Sequence, residues 1–300
     1  MVRQGCHSAL FLAAFLASAA SAWAQGTSGP RVSDSSVGYI DSAIPGDVFR
    51  FRFDAAYNDR RPTRAEFFYP RGGPAGPGLP KPEPSVDFQE LSAYLEMAAS
   101  DRLSAFVDFP VRFINPELNA DHAGFADLDA GFKFAFIQSE DRVATFQFRT
   151  YAPTGESRRG LGTNHVTLEP AFLFYNQFTD RLGLESELRL WTPIGGSDFA
   201  GEIVRYGVGL HYDLFTTSHC TFTPAAEFVG WTLLDGKETV VPPTGAAFIQ
   251  DAGGETILNA KLGFFVKFGD RADVYAGYGR PLTGDRWYEN TLRLQFRLFF

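Results

Sequence analysis

Charged side chains recur at every second position through much of this chain. Side chains with this spacing could gather on one face and take part in binding or catalysis. Guanidinium and carboxylate groups pair with each other and bind polar solutes, so charges gathered on one face could form an ion-pair network or hold a substrate. A period of two is the period of a β-strand, whose successive side chains point to opposite sides. On that alternation, the residues expected to face a common interior are Arg50, Arg52, Glu90, Glu96, Asp108, Arg112, Asp127, Asp129, Lys133, Arg149, Glu169, Glu185, Glu187, Arg189, Arg205, Glu227, Arg293 and Arg297.

Both signs of charge are mixed in this set. Mixing favours ion pairs between neighbouring strands over a single selective ring of one sign. Ion pairing and substrate binding both remain open for these residues. In a narrow barrel such side chains could largely fill the interior, so wide-open diffusion is not expected.

Histidine and serine could instead support nucleophilic catalysis, which needs a nucleophile, a base and an orienting group. The histidines after residue 24 are His122, His165, His211 and His219. Ser218 precedes His219 in a predicted turn, but the sequence has no Gly-x-Ser-x-Gly elbow and no Cys/His cluster for zinc. We therefore predict no catalytic residues, no metal and no cofactor. A lipid-modifying enzyme stays a minor alternative and would need a Ser/His pair at the outer rim.

Twelve segments carry the alternation, with apolar side chains opposite the charged ones. They are predicted as strands at Val48–Tyr57, Phe88–Ala98, Leu103–Phe113, Phe125–Ile137, Val143–Tyr151, His165–Tyr175, Leu182–Thr192, Ile203–Leu214, Thr221–Leu233, Thr256–Phe268, Ala272–Gly279 and Tyr288–Phe300. Most are near the roughly 9 to 11 residues that a tilted strand needs to cross a bilayer. Short turns alternate with long loops, which is typical of outer-membrane proteins with short turns in the periplasm. The predicted fold is all-β, a transmembrane antiparallel up-and-down β-barrel of about twelve strands.

The last ten residues give the strongest strand signal. Leu292, Leu294, Phe296 and Leu298 share one face, opposite Arg293 and Arg297. In a soluble chain this strand would expose an apolar face and a free edge. Lipid would cover the apolar face, and pairing with Val48–Tyr57 would remove the free edge. Phe300 resembles the aromatic carboxy-terminal signal of outer-membrane proteins, which implies the barrel-assembly machinery as a partner.

The amino-terminus is typical of an exported protein. Residues 1–24 combine Arg3, the apolar run Ala9–Ala20 and Ala22-Trp23-Ala24, the features of a signal peptide cleaved before Gln25. Residues 25–46 form a polar periplasmic lead-in, flexible or partly tucked into the lumen, and residues 47–300 the barrel. The expected location is the outer membrane of a Gram-negative-type bacterium.

The charge balance limits the classes of partner that the protein is expected to bind. The whole chain has 27 basic and 35 acidic residues; removing Arg3 with the signal leaves 26 and 35, a net of −9. This balance disfavours nucleic acid. Cys220 is then the remaining cysteine, so an intramolecular disulfide is not possible. Arg60, Arg61 and Arg64 in the first long loop could contact lipopolysaccharide phosphates, or could simply be solvated.

Two segments resemble a known family. Gly124–Lys133 (GFADLDAGFK) and Tyr151–Gly155 (YAPTG) look like the Gly-x-Gly-Asp-x-x-x-Gly-x-Lys strand and Pro-Thr-Gly loop of an outer-membrane family labelled for a MetA pathway of phenol degradation. Ala126 replaces the second glycine of that pattern. The resemblance implies a barrel among transporters of hydrophobic substrates.

We therefore expect a narrow passive channel or uptake protein for small, hydrophobic or aromatic molecules, embedded in outer-membrane lipid. The alternative is a structural or surface-display barrel with a plugged lumen. A soluble lipocalin-like barrel is the rival fold, with apolar side chains inside and charged ones outside.

Overall fold

The structure is a computed structural model that describes residues 30, 32, 34–59, 78–240, 242, 244–284 and 286–300. The signal segment and the arginines at positions 60, 61 and 64 lie outside the described residues. Twelve long strands dominate: β1 (Val48–Asp59), β2 (Val86–Ser100), β3 (Leu103–Pro116), β5 (Leu128–Gln138), β6 (Arg142–Ala152), β7 (Val166–Gln177), β8 (Leu182–Ile194), β9 (Ile203–Tyr212), β11 (Thr221–Leu233), β14 (Thr256–Phe268), β15 (Ala272–Pro281) and β16 (Asn290–Phe299). Shorter elements lie in the connections: β4 (His122–Phe125), β10 (Phe215–Thr216), β12 (Lys237–Val240), β13 (Phe248–Asp251) and a 3-10 helix at Ser157–Arg159. Within the described ranges, no helix is long and apolar enough to cross a membrane.

The long strands form one antiparallel sheet that closes on itself. Closure is made by β1 and β16, which pair from Val48 opposite Phe299 to Tyr57 opposite Asn290. The first and last strands therefore satisfy each other's backbone groups, and the sheet has no free edge at this seam. The predicted twelve-stranded barrel is confirmed.

One predicted strand is interrupted. Phe125–Ile137 was expected to be continuous, but β4 ends at Phe125 and β5 begins at Leu128. The register along β3 shifts at this point, because Val111 faces Phe125 while Asp108 faces Asp129. Pro110 of β3 has no N–H to donate to a partner strand, so the ladder breaks beside it.

The wall places apolar side chains outside and charged side chains inside. In β16, Leu294 points outward and is 55% exposed, whereas Arg293 points inward and is 7% exposed. This is the reverse of a lipocalin-like barrel, so that rival fold is excluded. Lipid rather than a protein core is the environment that suits the outward face.

The two ends of the barrel differ. At the short-turn end the connections are those of β2–β3, β5–β6, β7–β8, β9–β11 and β14–β15. Both ends of the barrel sequence also meet there, where the Phe300 amide donates to the Asp47 carbonyl at 3.2 Å. The remaining connections have at least eight residues each and define the long-loop end. There the interior is aromatic and apolar, with Phe88, Trp231, Trp287 and Tyr288 all buried.

Candidate functional site

A chain segment occupies the middle of the barrel. Residues 34–46, which we call the strap, contact wall residues inside the lumen before β1 begins at Val48. The strap rises from the short-turn end to an apex at Tyr39–Asp41 and then returns to that end. Of the two arrangements considered for the polar lead-in, the one inside the lumen is therefore observed for these residues.

Wall carboxylates bind the backbone amides of the strap. Glu227 of β11 accepts hydrogen bonds from the amides of Gly38 (2.9 Å), Tyr39 (2.9 Å) and Ile40 (3.2 Å). Successive amides that point at one carboxylate make an anion-binding concavity. The amides of the apex and the Glu227 carboxylate thus supply each other's hydrogen-bond partners away from bulk water.

Further polar contacts fix the two legs of the strap. On the entering leg, Glu185 accepts the Ser36 amide at 2.8 Å. Wall arginines also donate to strap carbonyls: Arg297 to Ser35 (2.7 Å), Arg293 to Gly38 (2.7 Å) and Arg205 to Tyr39 (2.6 Å). If the strap left the wall, most of its bound backbone groups would need new hydrogen-bond partners, such as water.

Asp41 is the ionic centre of the apex. Its carboxylate accepts from Arg149 Nη2 at 2.7 Å and from Arg189 Nη1 and Nη2 at 3.1 Å. Burial acts to raise the pKa of Asp41, but the guanidiniums of Arg149 and Arg189 more than offset it and hold the pKa well below its usual range. Asp41 is therefore ionised at neutral pH.

Tyr39 is held between cations and an aromatic ring. Lys261 Nζ lies 3.7 Å and Arg293 Cζ 4.2 Å from the centroid of the Tyr39 ring. Tyr275 meets the same ring edge-on, with centroids 6.2 Å apart. Gly38 makes this approach possible, because a Cβ at that position would lie 2.1 Å from the Tyr275 ring. Cation–π contacts of this kind are stronger when desolvated.

The returning leg ends on an apolar patch. Ala43 and Ile44 pack with Ala135, Val143 and Leu173 at the short-turn end of the wall. The strap thus forms ion pairs at Asp41 of its apex and packs on apolar residues at one foot. Burial of apolar area there adds to the ionic contacts above.

The charged residues expected in the interior are found in three situations. Glu90, Glu96, Asp108, Arg112, Asp129, Lys133, Arg149, Glu169, Glu185, Glu187, Arg189, Glu227, Arg293 and Arg297 are buried. Arg50, Arg52 and Arg205 are half-buried, with 12 to 15% of each side chain exposed. Asp127 lies outside the strands and binds the β6–β7 loop, where it accepts from the amides of Gly155 (3.1 Å) and Thr163 (2.8 Å).

Many of these residues pair across neighbouring strands. Glu90 Oε2 of β2 accepts from Arg112 Nε of the neighbouring strand β3 at 2.8 Å. Glu96 of β2 accepts from Lys133 Nζ of β5 at 2.8 Å, a pair that reaches across the intervening β3. At the closing seam, Arg50 faces Arg297 in register. Arg297 is neutralised by Asp273, with contacts of 2.9 and 2.6 Å.

Some residues of this network were missed by sequence reasoning. Lys261 and Asp273 lie on the inward positions of β14 and β15, so the alternation could have found them. Asp54, on the polar face of the first predicted strand, binds Arg293 through contacts of 2.6 and 2.9 Å. Asp41 precedes the first strand and has no periodic pattern around it, so the sequence carried no signal for its position.

Ser218 and His219, which are adjacent in sequence, do not lie at the long-loop end. Ser218 and His219 are both exposed in the turn that precedes β11, at the short-turn end. His211 is buried, with Nδ1 3.6 Å from Glu185. Within the described ranges, no group of three or more His, Cys, Asp or Glu residues is arranged to hold a metal ion.

Comparison with known proteins supports the fold. No protein-family model and no curated protein matches the chain. An outer-membrane channel from Pseudomonas putida F1 is similar with a TM-score of 0.55 at 13% identity, over 90% of this chain and 99% of that chain. NanC porin gives 0.49 at 9% identity, over 84% and 99%. The beta domain of the Bordetella autotransporter BrkA gives 0.49 at 12%, over 85% and 100%. At such identities the similarity concerns the fold alone, and the resemblance to the phenol-degradation family stays a prediction.

Proposed function

We propose that this protein is an outer-membrane channel that admits small solutes, with hydrophobic or aromatic molecules as the first class to test. In this proposal the short turns face the periplasm and the long loops face outward, next to lipopolysaccharide. The signal-like residues 1–24 and the terminal Phe300 support export and delivery to the barrel-assembly machinery.

The observation that carries the proposal is the polar contact between strap and wall. Glu227, Glu185 and the wall arginines bind the strap through hydrogen bonds that water could replace one by one. A barrel needed only as a scaffold could fill its lumen with apolar side chains, because buried ion pairs seldom stabilise a fold more than well-packed hydrophobic residues. A charged interior is better explained by the passage of solutes.

The test compares the mature chain with a variant that lacks residues 30–46, both reconstituted in liposomes. Swelling with solutes of graded size, aromatic alcohols among them, and single-channel recording would report permeation. We expect a small conductance for the intact protein and a several-fold larger one for the deletion. Impermeability of both proteins to all solutes would overturn the proposal.

The second candidate is a surface-display barrel with a permanent plug, and the occupied lumen favours it. It predicts that the intact protein stays impermeable while the deletion variant conducts. Under that outcome the long loops, rather than the lumen, would carry the function.

A further inference from the structure

A cavity of about 60 Å³ lies between the apex of the strap and the long-loop end. Tyr39 and Asp41 border it from the strap, and Trp191 and Trp231 border it from the wall. For scale, a cavity of about 150 Å³ holds a benzene ring. The cavity above the strap therefore has room for a group of only a few non-hydrogen atoms.

The charges around this cavity are unevenly distributed. From strands β9 to β16, the side chains that border it are Arg205, Trp231, Lys261 and Arg293, three cations and an indole without a carboxylate. The carboxylates that border it belong to the strap or to the opposite side of the barrel: Asp41, Glu90, Asp108, Asp127 and Asp129. The groups that line this side of the cavity are therefore cationic donors, with Arg293 paired to Asp54 and Arg205 paired to Glu187 behind the lining. An anion in the cavity would lie next to these donors and away from the carboxylates of the opposite side.

Two donors on the cationic side have no protein acceptor within the described part of the chain. Trp231 is 2% exposed, and its indole N–H has no hydrogen-bond partner. Arg205 faces Trp231 in the ladder between β9 and β11 and has an unpartnered Nε. A buried donor without an acceptor is costly. Two such donors on adjacent strands could be satisfied together by the oxygens of one planar anion.

We propose that this cavity binds a small carboxylate or an oxyanion of similar size. The anion would accept from Trp231 Nε1 and Arg205 Nε and lie within the field of Lys261 and Arg293. That the protein transports small organic acids would follow only if it is also a channel, as proposed above. The binding of an anion in the cavity does not depend on the channel function.

Tryptophan emission of the refolded mature chain tests the site directly. After residue 24 the tryptophans are Trp191, Trp231 and Trp287, all buried. Two of them border the cavity. Because iodide quenches free indole more strongly than caesium does, both ions are calibrated on N-acetyltryptophanamide. We expect the iodide-to-caesium quenching ratio of the protein to exceed that of the free compound several-fold at equal ionic strength. Acetate should relieve iodide quenching in a saturable way, whereas methylammonium should not.

Two variants identify the residues involved. Lys261→Gln should weaken competition by acetate about tenfold, as expected for removing a charge a few ångströms away in a partly polar interior. Lys267→Gln is the matched control, on the same strand and face but near the short-turn end, and should leave competition unchanged. Trp231→Phe removes the indole donor while it keeps an aromatic ring. In this variant, acetate should no longer relieve the iodide quenching of Trp191 emission. The variant also provides the test if Lys261→Gln fails to fold.

An iodide-to-caesium quenching ratio no higher than that of N-acetyltryptophanamide, absence of acetate competition, or equal effects of the two lysine variants would overturn the anion site. Conductance measured on the same preparations keeps the two proposals apart. Conductance without acetate competition retains the channel and rejects the site. Acetate competition without conductance retains the site and rejects the channel.

Discussion

The carboxylate of Glu227 on β11 binds the backbone amide of Gly38 at 2.9 Å, although the two residues are 189 positions apart in sequence. The same carboxylate also accepts the amides of Tyr39 and Ile40. A single wall side chain thus fixes the apex of the strap. The position of the strap therefore depends on the charge and geometry of this carboxylate as well as on the strap side chain Asp41.

The first prediction concerns Glu227→Gln. The amide replaces a charged acceptor by a neutral one and turns an N–H group toward the strap amides. A hydrogen bond to a charged group contributes about 1.5–3 kcal/mol, so the loss of even one predicts roughly tenfold faster exchange. Hydrogen exchange read by mass spectrometry on peptides covering residues 38–40 measures this effect.

Glu140→Gln is the control for that experiment, because Glu140 is exposed in the turn between β5 and β6. Exchange at residues 38–40 should be the same in this variant and in the unaltered protein. If Glu227→Gln leaves the exchange rate unchanged, the strap is held by other contacts and the assigned role of Glu227 is wrong.

Sequence alternation predicted the wall because lipid and lumen impose opposite chemistry on neighbouring residues. In β16, Leu294 and Arg293 differ in exposure as their positions predict. The pairing of the first and last strands followed from the need to leave no edge. The break at Ala126 and Asp127 was not predicted, because it depends on Pro110 in the neighbouring strand rather than on the local pattern.

The strap could not be placed from sequence for a different reason. Its apex is bound through backbone amides, which every residue except proline has, so no side-chain pattern marks Gly38, Tyr39 and Ile40 as bound residues. Its partner Glu227 was expected only to face the interior. The distance in sequence between the two partners removes any local signal.

The second prediction concerns Asp41→Asn. This variant keeps the size of the side chain but removes the charge that Arg149 and Arg189 contact. Two buried guanidiniums would lose a counter-charge, so the strap should open more often and the single-channel conductance should rise. Arg149 and Arg189 keep Glu169 as a partner, at 3.6 and 2.6 Å, so the cost should be smaller than the roughly 3–5 kcal/mol of leaving a buried charge without any partner. Conductance and hydrogen exchange over residues 34–46 both measure the change.

The pH dependence of this effect has a defined sign. The pKa of Asp41 is held well below its usual range in the folded protein. A depressed pKa stabilises the folded state above the unfolded value, about 3.9 for aspartate, and that stabilisation is lost as the pH falls through the folded value. The conductance difference between Asp41→Asn and the unaltered protein should stay constant from pH 8 to pH 5 and shrink only in stronger acid. A difference that disappears near neutral pH would contradict this assignment.

The third prediction concerns Gly38→Ala. The added methyl group would lie 2.1 Å from the Tyr275 ring, closer than real Cβ contacts allow. Either the strap or the ring must move, and overpacking of this kind costs about 1–3 kcal/mol. The strap should therefore exchange faster in Gly38→Ala. Gly284→Ala is the control, because a methyl group there meets no atom within 4 Å.

A double-mutant cycle attributes that effect to the ring. Tyr275→Ala removes the obstacle, so the penalty of Gly38→Ala should be much smaller in the Tyr275→Ala background. Equal penalties in both backgrounds would show that the strap is limited by backbone freedom at Gly38 instead of contact with Tyr275.

The fourth prediction concerns Phe300, where a substitution should lower assembly of the barrel in cells without lowering its stability in vitro. Its side chain is 62% exposed, and its backbone amide bonds to Asp47 at 3.2 Å. Phe300→Ala keeps that amide and removes little buried area, so the free energy of unfolding of the refolded barrel should change by no more than about 0.5 kcal/mol. In cells, the amount of folded protein in the outer membrane should fall several-fold if the terminal aromatic ring is read during assembly. Phe299→Ala, one position earlier, is the comparison. Unchanged membrane levels of Phe300→Ala would reject the signal, whereas a large loss of stability in vitro would assign Phe300 to the barrel wall.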